Sequence, residues 1–472
     1  MKEIDLPVII NGERIVDGEK YEFDYETGVK VRIPKVTPEM VSEINSQDKM
    51  ALHDMTVAEI SEFIGKVGDL WRDVNYPLRL ECIEYASMVT GYSKEMIAFD
   101  LLNLPEILVR PYVGDILDAE LGDRVLLDEW ERRGSSLIHA EPRGKLLHIM
   151  VGNVPIASVF SLLRGIITKN VNIIKLPRRD LITCLYFCLS FFDADPDSPI
   201  TKSVSVLTWQ GGLEPVEDAM IDLADAVCVW GGEQAVSSIR PKLKTGQRYL
   251  EFGPRTSLQI VGETNEAEKR EAAKGAAMDM SMYDQEACFS TQVIYVMNDA
   301  AMYAELLAKE LKEFGRKYPK GFASKDHKAT IQLERQKALF NGYKVISSED
   351  SEWTIILTPK VEPIETHPLG RTVYVMPYGS YNEILPFISR FTQTIAVYPE
   401  KLRYEIRDRF TQRGVDRVVE CGHSWELRFG STHDGVYALR DMVRLVCMDR
   451  ETSFQSRWYD PVKYIGLENR EI

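Results

Sequence analysis

An α/β fold, with two α/β domains in series, is predicted for this 472-residue chain by three observations. Beyond residue 144, short apolar runs alternate with helical stretches, the pattern of a parallel sheet covered on both faces. The same pattern begins again after about residue 255. Hydrophobic residues make up 44% and charged residues 27% of the chain, ordinary globular values that leave no room for a long disordered fraction.

In chain order, residues 7–36 alternate polar and apolar positions around the turn signals Asn11-Gly12, Asp17-Gly18 and Thr27-Gly28, which predicts a small opening sheet of antiparallel strands. Thr37-Pro38 reads as a helix N-cap with a first-turn proline. From there to about Leu108 the apolar spacing lengthens to three and four residues, as amphipathic helices require. Residues 120–141 carry an acidic stretch and a second β-like passage and are read as a projecting hairpin. The strands of the first α/β domain are then KLLHIMV, NVNIIKL, VSVLTW, AVCVWG and QRYLEFG. Between them LITCLYFCLSFF (181–192) is too short to span a bilayer and reads as a buried helix. The second α/β domain carries SLQIVG, TQVIYVM, EWTIILT, RTVYVMP and TIAVYP. No internal repeat or Ser/Pro-rich linker separates the two, so the boundary near 255 is a tight one, and the cleft between them is the expected ligand site.

With 57 Lys and Arg against 72 Asp and Glu the formal charge is −15, which excludes nucleic acid as a general partner. The start MKEIDLPVIINGER lacks the basic-then-apolar pattern of a signal peptide, and a cytoplasmic location is expected. Seven cysteines without a CxxC pair argue against both a disulfide framework and a zinc knuckle; six read as small core residues and one as reactive. The seven histidines show no HxH or HExxH spacing, so no metal site is expected.

Four segments carry chemistry by their order: Val151-Gly152-Asn153-Val154-Pro155 after a strand, Asn172 to Arg179 with Lys175 at a strand end, Tyr249 to Pro254 containing Glu251, and Asp284 to Ser290 containing Cys288. Each alone has a plain structural explanation. Together the order strand-Asn-helix, strand-Lys-x-Pro, strand-Glu-x-Gly, then Cys resembles the aldehyde dehydrogenase superfamily over most of the chain. The wording GNVPIASVFSLLRGIITKN, AVCVWGG, YDQEACFSTQ and GSTHDGVYALRDMVRLV is closest to the LuxC-type long-chain acyl-CoA reductases, which make fatty aldehyde in luminous bacteria.

The resemblance implies an aldehyde dehydrogenase-like α/β fold with a small oligomerisation hairpin. It divides the chain into a cofactor-binding domain (1–119 and 142–255), the hairpin (120–141), a catalytic domain (256–446) and a C-terminal tail (447–472). It implies Cys288 as the nucleophile that holds the acyl group as a thioester, since a thiolate attacks an acyl carbonyl far better than a hydroxyl does. Asn153 and the Cys288 N–H would receive the oxyanion. Glu251 matches the general base of aldehyde-oxidising relatives; here it would assist Cys288, protonate an intermediate, or be inherited. Lys175 would bind the adenosine ribose, and Gly231 and Gly232 would open a helix towards the pyrophosphate. Arg178, with Arg179, stands where NAD-using relatives carry a carboxylate, which favours NADPH. The family's Glu-x-Phe-Gly-Pro is replaced by His367-Pro368-Leu369-Gly370-Arg371, and His433-Asp434-Gly435 is read as a turn or substrate-pocket motif. The implied activity is NADPH-dependent reduction of long-chain fatty acyl-CoA, or of an acyl group delivered by a partner, to fatty aldehyde. An acyl-protein synthetase and an acyl-transferase are the implied partners, and the implied assembly is a homo-dimer or homo-tetramer. Aldehyde oxidation by the same residues, and an acyltransferase or acyl carrier without redox chemistry, are the alternatives.

Overall fold

A computed structural model describes residues 2–212, 214–426 and 430–449. Two seven-stranded sheets organise it. The first runs, edge to edge, Arg248–Phe252, Ala226–Trp230, Lys145–Ile149, Val171–Lys175, Val204–Leu207, Val8–Ile10 and Glu13–Ile15. Its first five strands are parallel. Lys145–Ile149 and Val204–Leu207 are buried along their whole length, as strands covered by helices on both faces must be. The helices Pro155–Ile167 and Thr183–Ala194, the second being the LITCLYFCLSFF run, pack side by side on one face, as two right-handed crossovers in the same direction require, and the helix Glu214–Leu223, whose crossover returns the other way, packs on Lys145–Ile149 from the opposite face. The backbone N–H groups of Ile182 and Thr183 donate to Asp180, each at 3.0 Å, which satisfies orphan donors at that helix start.

The second sheet runs Lys344–Ser347, Thr354–Leu357, Thr372–Pro377, Thr291–Val296, Thr256–Val261, Thr392–Tyr398 and Arg417–Glu420. All its pairings are parallel except the antiparallel one at the Lys344–Ser347 edge. Both sheets follow the apolar runs of the sequence, and no helix among the described residues is long and apolar enough to cross a membrane.

Three sequence expectations are corrected. The opening strands do not form one antiparallel sheet. Lys2–Asp5 pairs parallel with Val29–Pro34, which pairs antiparallel with Lys20–Asp24, whereas Val8–Ile10 crosses to the first large sheet and pairs with Val204–Leu207. Val8, Ile9 and Ile10 are all buried, so only a sheet covered on both faces accommodates them. The hairpin is shorter than 120–141: the helix Arg110–Leu121 runs through its expected start and ends where Gly122 takes φ 87, the left-handed stop that favours glycine. The hairpin strands are Glu131–Arg133 and Ser136–Pro142. Finally, the expected tail begins inside a strand, because Val443–Asp449 pairs antiparallel with Ser136–Pro142 and makes the hairpin a three-stranded sheet. Residues 450–472 of that tail lie outside the described residues.

Candidate active site

The strand order of the first sheet reverses between Lys145–Ile149 and Ala226–Trp230, because the chain leaves the former on one side towards Val171–Lys175 and returns on the other. The crevice beyond the carboxyl ends of strands at such a switch point is where parallel sheets bind ligands. The loops that leave these two strands carry Asn153 and Gly231-Gly232, and all three residues line one cavity of about 330 Å³ together with Cys288. Tyr112, Ile116, Ile156, Phe160, Phe289 and Trp425 give this cavity an apolar wall.

Cys288 follows a segment in which Tyr283, Asp284 and Gln285 take φ of 50, 49 and 72. Three consecutive non-glycine residues in the left-handed region persist only where their surroundings over-determine them. The Tyr283 hydroxyl donates to Asp100 at 2.5 Å. Asp284 accepts from Arg371 Nε at 2.8 Å and from the Gly321 N–H at 2.9 Å. The Gln285 amide donates to the carbonyls of Thr291 (2.8 Å) and Thr372 (2.5 Å) and accepts from the Thr372 N–H at 2.8 Å. Behind Cys288, Ser257 Oγ donates to the Cys288 carbonyl at 2.8 Å. Asp100 also accepts from the Ile156 N–H at 3.0 Å, so one carboxyl ties the start of the helix Pro155–Ile167 to the segment that presents Cys288. Burial pushes that carboxyl up to about 7, opposed by its hydrogen bonds to Tyr283 and Ile156.

The Cys288 thiol is pushed up to about 11, first by burial and then by the charge of Asp434. The Gln393 side chain and the N–H groups of Phe289 and Cys288 oppose the rise. At neutral pH the resting residue is therefore a thiol. Asn153 Nδ2 donates to the Glu286 carbonyl at 2.7 Å, while its buried Oδ1 has no hydrogen-bond partner. The opposite amide orientation would set two carbonyl oxygens against each other, so the NH2 group faces the Cys288 segment. The Tyr92 hydroxyl lies 2.8 Å from the Asn153 carbonyl oxygen and 3.2 Å from the Glu286 carboxylate, joining the two loops.

His433-Asp434-Gly435 is a tight turn: Asp434 and Gly435 take φ of 48 and 77, and the N–H groups of His433 and Val436 each donate to the other's carbonyl at 3.0 Å. The turn delivers both side chains to the cavity. The His433 ring stands edge-on to Trp230 and Phe252, with both centroid separations at 4.9 Å, and burial pulls its pKa down to about 4. It is uncharged at neutral pH and lends the thiol no positive charge. Asp434 accepts from Gln393 at 2.5 Å and faces Arg255 at 3.5 Å.

Four sequence-predicted residues are not in the cavity lining. Phe252 stacks on Trp230 at 4.1 Å on the cavity side of its strand. Alternation therefore turns Glu251 to the other face, where it pairs with Arg240 at 2.6 Å. Arg179 is not beside Arg178 in function: its guanidinium pairs with Glu286 and lies 5.5 Å from the Tyr92 ring, committed to the Cys288 segment. Arg178 is exposed, 5.6 Å from the Phe23 ring. Lys175 ends its strand half-buried, its ammonium 5.8 Å from the Trp209 ring and without a hydrogen bond or ion pair among the described residues. Burial pulls its pKa down, opposed by Glu217. His367 is likewise pulled down to about 4 by burial; its Nδ1 accepts from the Leu369 N–H at 3.0 Å and its Nε2 has no partner. Sequence reasoning missed Tyr92 and Asp100 and gave Arg371 no role. Only the fold brings them to residues 283–286.

Residues 52–445 match the family Acyl-CoA reductase (LuxC). The long-chain acyl-protein thioester reductases of Aliivibrio fischeri and Vibrio harveyi are each 34% identical to this chain, over 96% of it and 95% of each of them. Among solved structures, the aldehyde dehydrogenase KauB from Pseudomonas aeruginosa superposes with a TM-score of 0.76 at 14% identity, covering 95% of this chain and 97% of that one. The NADP-dependent glyceraldehyde-3-phosphate dehydrogenase from Bacillus halodurans C-125, complexed with NADP, gives 0.71 at 16%, covering 94% and 99%. These two show that the fold is that of the aldehyde dehydrogenases.

Proposed function

This chain belongs to the acyl-CoA reductase (LuxC) family, and on that premise we propose that it reduces a long-chain acyl thioester to the fatty aldehyde, with NADPH as reductant and Cys288 as acyl carrier. The observation that carries the reading is the single cavity in which Cys288 and Asn153 meet Gly231-Gly232 at the switch point of a parallel sheet. The relatives are named for acyl-protein thioesters, so the favoured acyl donor is a protein-bound thioester, with acyl-CoA as the small-molecule equivalent.

A dinucleotide fits the residues present. Lys175 holds a half-buried charge with no anionic partner in contact, the arrangement expected of a group that awaits ribose hydroxyls. Gly231 and Gly232 leave the backbone open at the crevice, and the exposed Arg178 guanidinium suits a 2′-phosphate. A bound reduced nicotinamide supplies the hydride.

The chain's own residues do the rest. The Cys288 sulfur attacks the donor thioester; its proton leaves with the departing thiol, and the acyl group now sits on Cys288 with its chain along the apolar wall. The Asn153 NH2 group stabilises the oxygen as it gains charge, in a cavity from which the apolar wall excludes water. After hydride addition to the thioester carbonyl, the resulting tetrahedral oxyanion breaks its carbon–sulfur bond, releasing aldehyde and a Cys288 thiolate that takes one proton from solvent to restore the thiol. No attacking water is needed, and the pairing of Glu251 with Arg240 is consistent with that direction. Oxidation of aldehyde to acid would call for a base that activates a hydrolytic water at the thioester, and Glu251 is turned away from the cavity.

The test is turnover of tetradecanoyl-CoA followed by NADPH oxidation and aldehyde detection, beside the same assay with NADH and with Cys288→Ala. Aldehyde formed with NADPH and abolished in Cys288→Ala is expected. Radiolabelled acyl group still attached to Cys288→Ala would move the nucleophile to another residue and sink the assignment.

A further inference from the structure

We propose that His53, His139 and Glu141 form a binding site for a divalent transition-metal ion of the zinc type, away from the cavity of Cys288. His139 and Glu141 are two residues apart on the strand Ser136–Pro142 and therefore share one of its faces. His53 comes from the turns Ala51–Met55, where its N–H donates to Met50 at 2.9 Å. One donor atom from each of the three lies within 4.8 Å of the others, and none of the three residues lines the Cys288 cavity.

The second ring nitrogens decide the chemistry. His139 Nδ1 sits 3.1 Å from the Glu129 carbonyl oxygen, and His53 Nδ1 sits 3.0 Å from an Asp54 carboxylate oxygen. The Glu129 carbonyl, which only accepts, fixes the His139 proton on Nδ1, and Asp54 offers His53 the same outer arrangement, the one that orients metal-binding imidazoles. Both Nε2 lone pairs then face Glu141: His53 Nε2 is 3.3 Å from one carboxylate oxygen and His139 Nε2 is 3.7 Å from the other. Lone pairs opposed in this way repel unless positive charge lies between them. One divalent cation between them satisfies all three groups at once. The separations approach the edge of about 3.3 Å spanned by ligands around a tetrahedral zinc ion. Two imidazoles and a carboxylate, with water in the fourth position, are a zinc donor set. Lys169, whose Nζ reaches the His53 carbonyl at 3.4 Å, is already matched: it is 2.8 Å from Asp128 and donates to the Leu127 carbonyl at 2.6 Å. Trp130 stacks on His139 at 5.4 Å and shields one side of the site. A bound ion would pin the three-stranded sheet to the turns that precede the helix Val57–Arg72.

The test is calorimetric titration of chelator-stripped protein with Zn2+ at pH 7.5, in a Cys288→Ser, Cys447→Ser background that removes the two thiols most able to compete. Binding of one ion per chain is expected, at least tenfold weaker in His53→Gln and in Glu141→Gln. The melting temperature should rise with zinc in the parent and not in either variant. Since His53 is partly exposed, His53→Gln should melt like the parent without metal, so that loss of binding is not loss of fold. Absence of saturable binding at micromolar zinc, or binding in both variants equal to that of the parent, overturns the proposal and leaves a hydrogen-bonded cluster that holds no ion.

Discussion

Burial holds Cys288 as a thiol, and among the described residues no cation acts on it to compensate: His433 is neutral at pH 7 and Asp434 adds a negative charge. A thiol whose pKa lies near 11 gains a tenfold larger thiolate fraction for each unit by which the pH rises towards that value. Alkylation of Cys288 by iodoacetamide, in protein free of cofactor and acyl donor, should therefore rise about tenfold per unit from pH 7 to pH 10. A plateau near pH 8.5, read by mass spectrometry of the labelled peptide, would show an ordinary thiol and contradict the burial argument. Cys288 could be singled out because the wording around it is distinctive. The roles of its neighbours could not be. His433-Asp434-Gly435 reads equally well as a surface turn, and only the left-handed φ at Asp434 with the rings of Trp230 and Phe252 makes it part of the cavity. Arg179 shows the reverse: adjacency to Arg178 suggested a shared phosphate, and the ion pair with Glu286 separates them.

The segment Tyr283 to Gln285 is the element on which the position of Cys288 depends. Its three left-handed residues each cost of the order of 1 kcal/mol or more, offset by Asp100, Arg371 and the backbone of Thr291 and Thr372. Gln285→Ala removes three hydrogen bonds and leaves buried carbonyl and N–H groups without partners. A loss of about 3 kcal/mol or more in stability is expected, with slower acylation of Cys288 as the backbone relaxes. Chemical denaturation and the rate of radiolabel incorporation read the two effects. Unchanged rate and stability would mean that the loop holds itself. The resemblance singled out YDQEACFSTQ without giving a physical reason, because two of its fasteners, Arg371 and Thr372, lie 87 residues away from Asp284 and Gln285. The same limit applies to His53, which meets Glu141 only through the fold. Spacing rules search within a segment, and the absence of HxH or HExxH said nothing about such a cluster.

At the scale of the whole molecule, strand composition was readable and strand partnership was not. The doubly covered runs KLLHIMV and VSVLTW announce burial on both faces, yet nothing local says that Val8–Ile10 pairs with Val204–Leu207 or that Val443–Asp449 returns to Ser136–Pro142. That last return closes the molecule. After the cavity turn at His433, the chain enters the short helix Ala438–Met442, whose Leu439 N–H donates to Glu120 at 2.8 Å and whose Met442 carbonyl accepts from Asn170 at 3.0 Å. Arg248 Nε donates to Asp441 at 2.6 Å, tying the same helix to the edge strand of the first sheet. Seven residue pairs then zip Val443–Asp449 onto Ser136–Pro142. A chain ending at Met442 keeps the helix and loses the strand, so Ser136–Pro142 becomes an edge with unpaired backbone groups, a template for association with other chains. Compared with a chain ending at Asp449, it should melt several degrees lower and elute as higher aggregates on size exclusion. Cys288 alkylation in whatever monomer remains should be nearly unchanged, because the helix that follows the cavity turn keeps its anchors on Glu120, Asn170 and Arg248. Identical melting and elution of the two chains would mean that the sheet is held by the two hairpin strands alone, and that the third strand adds no stability of its own.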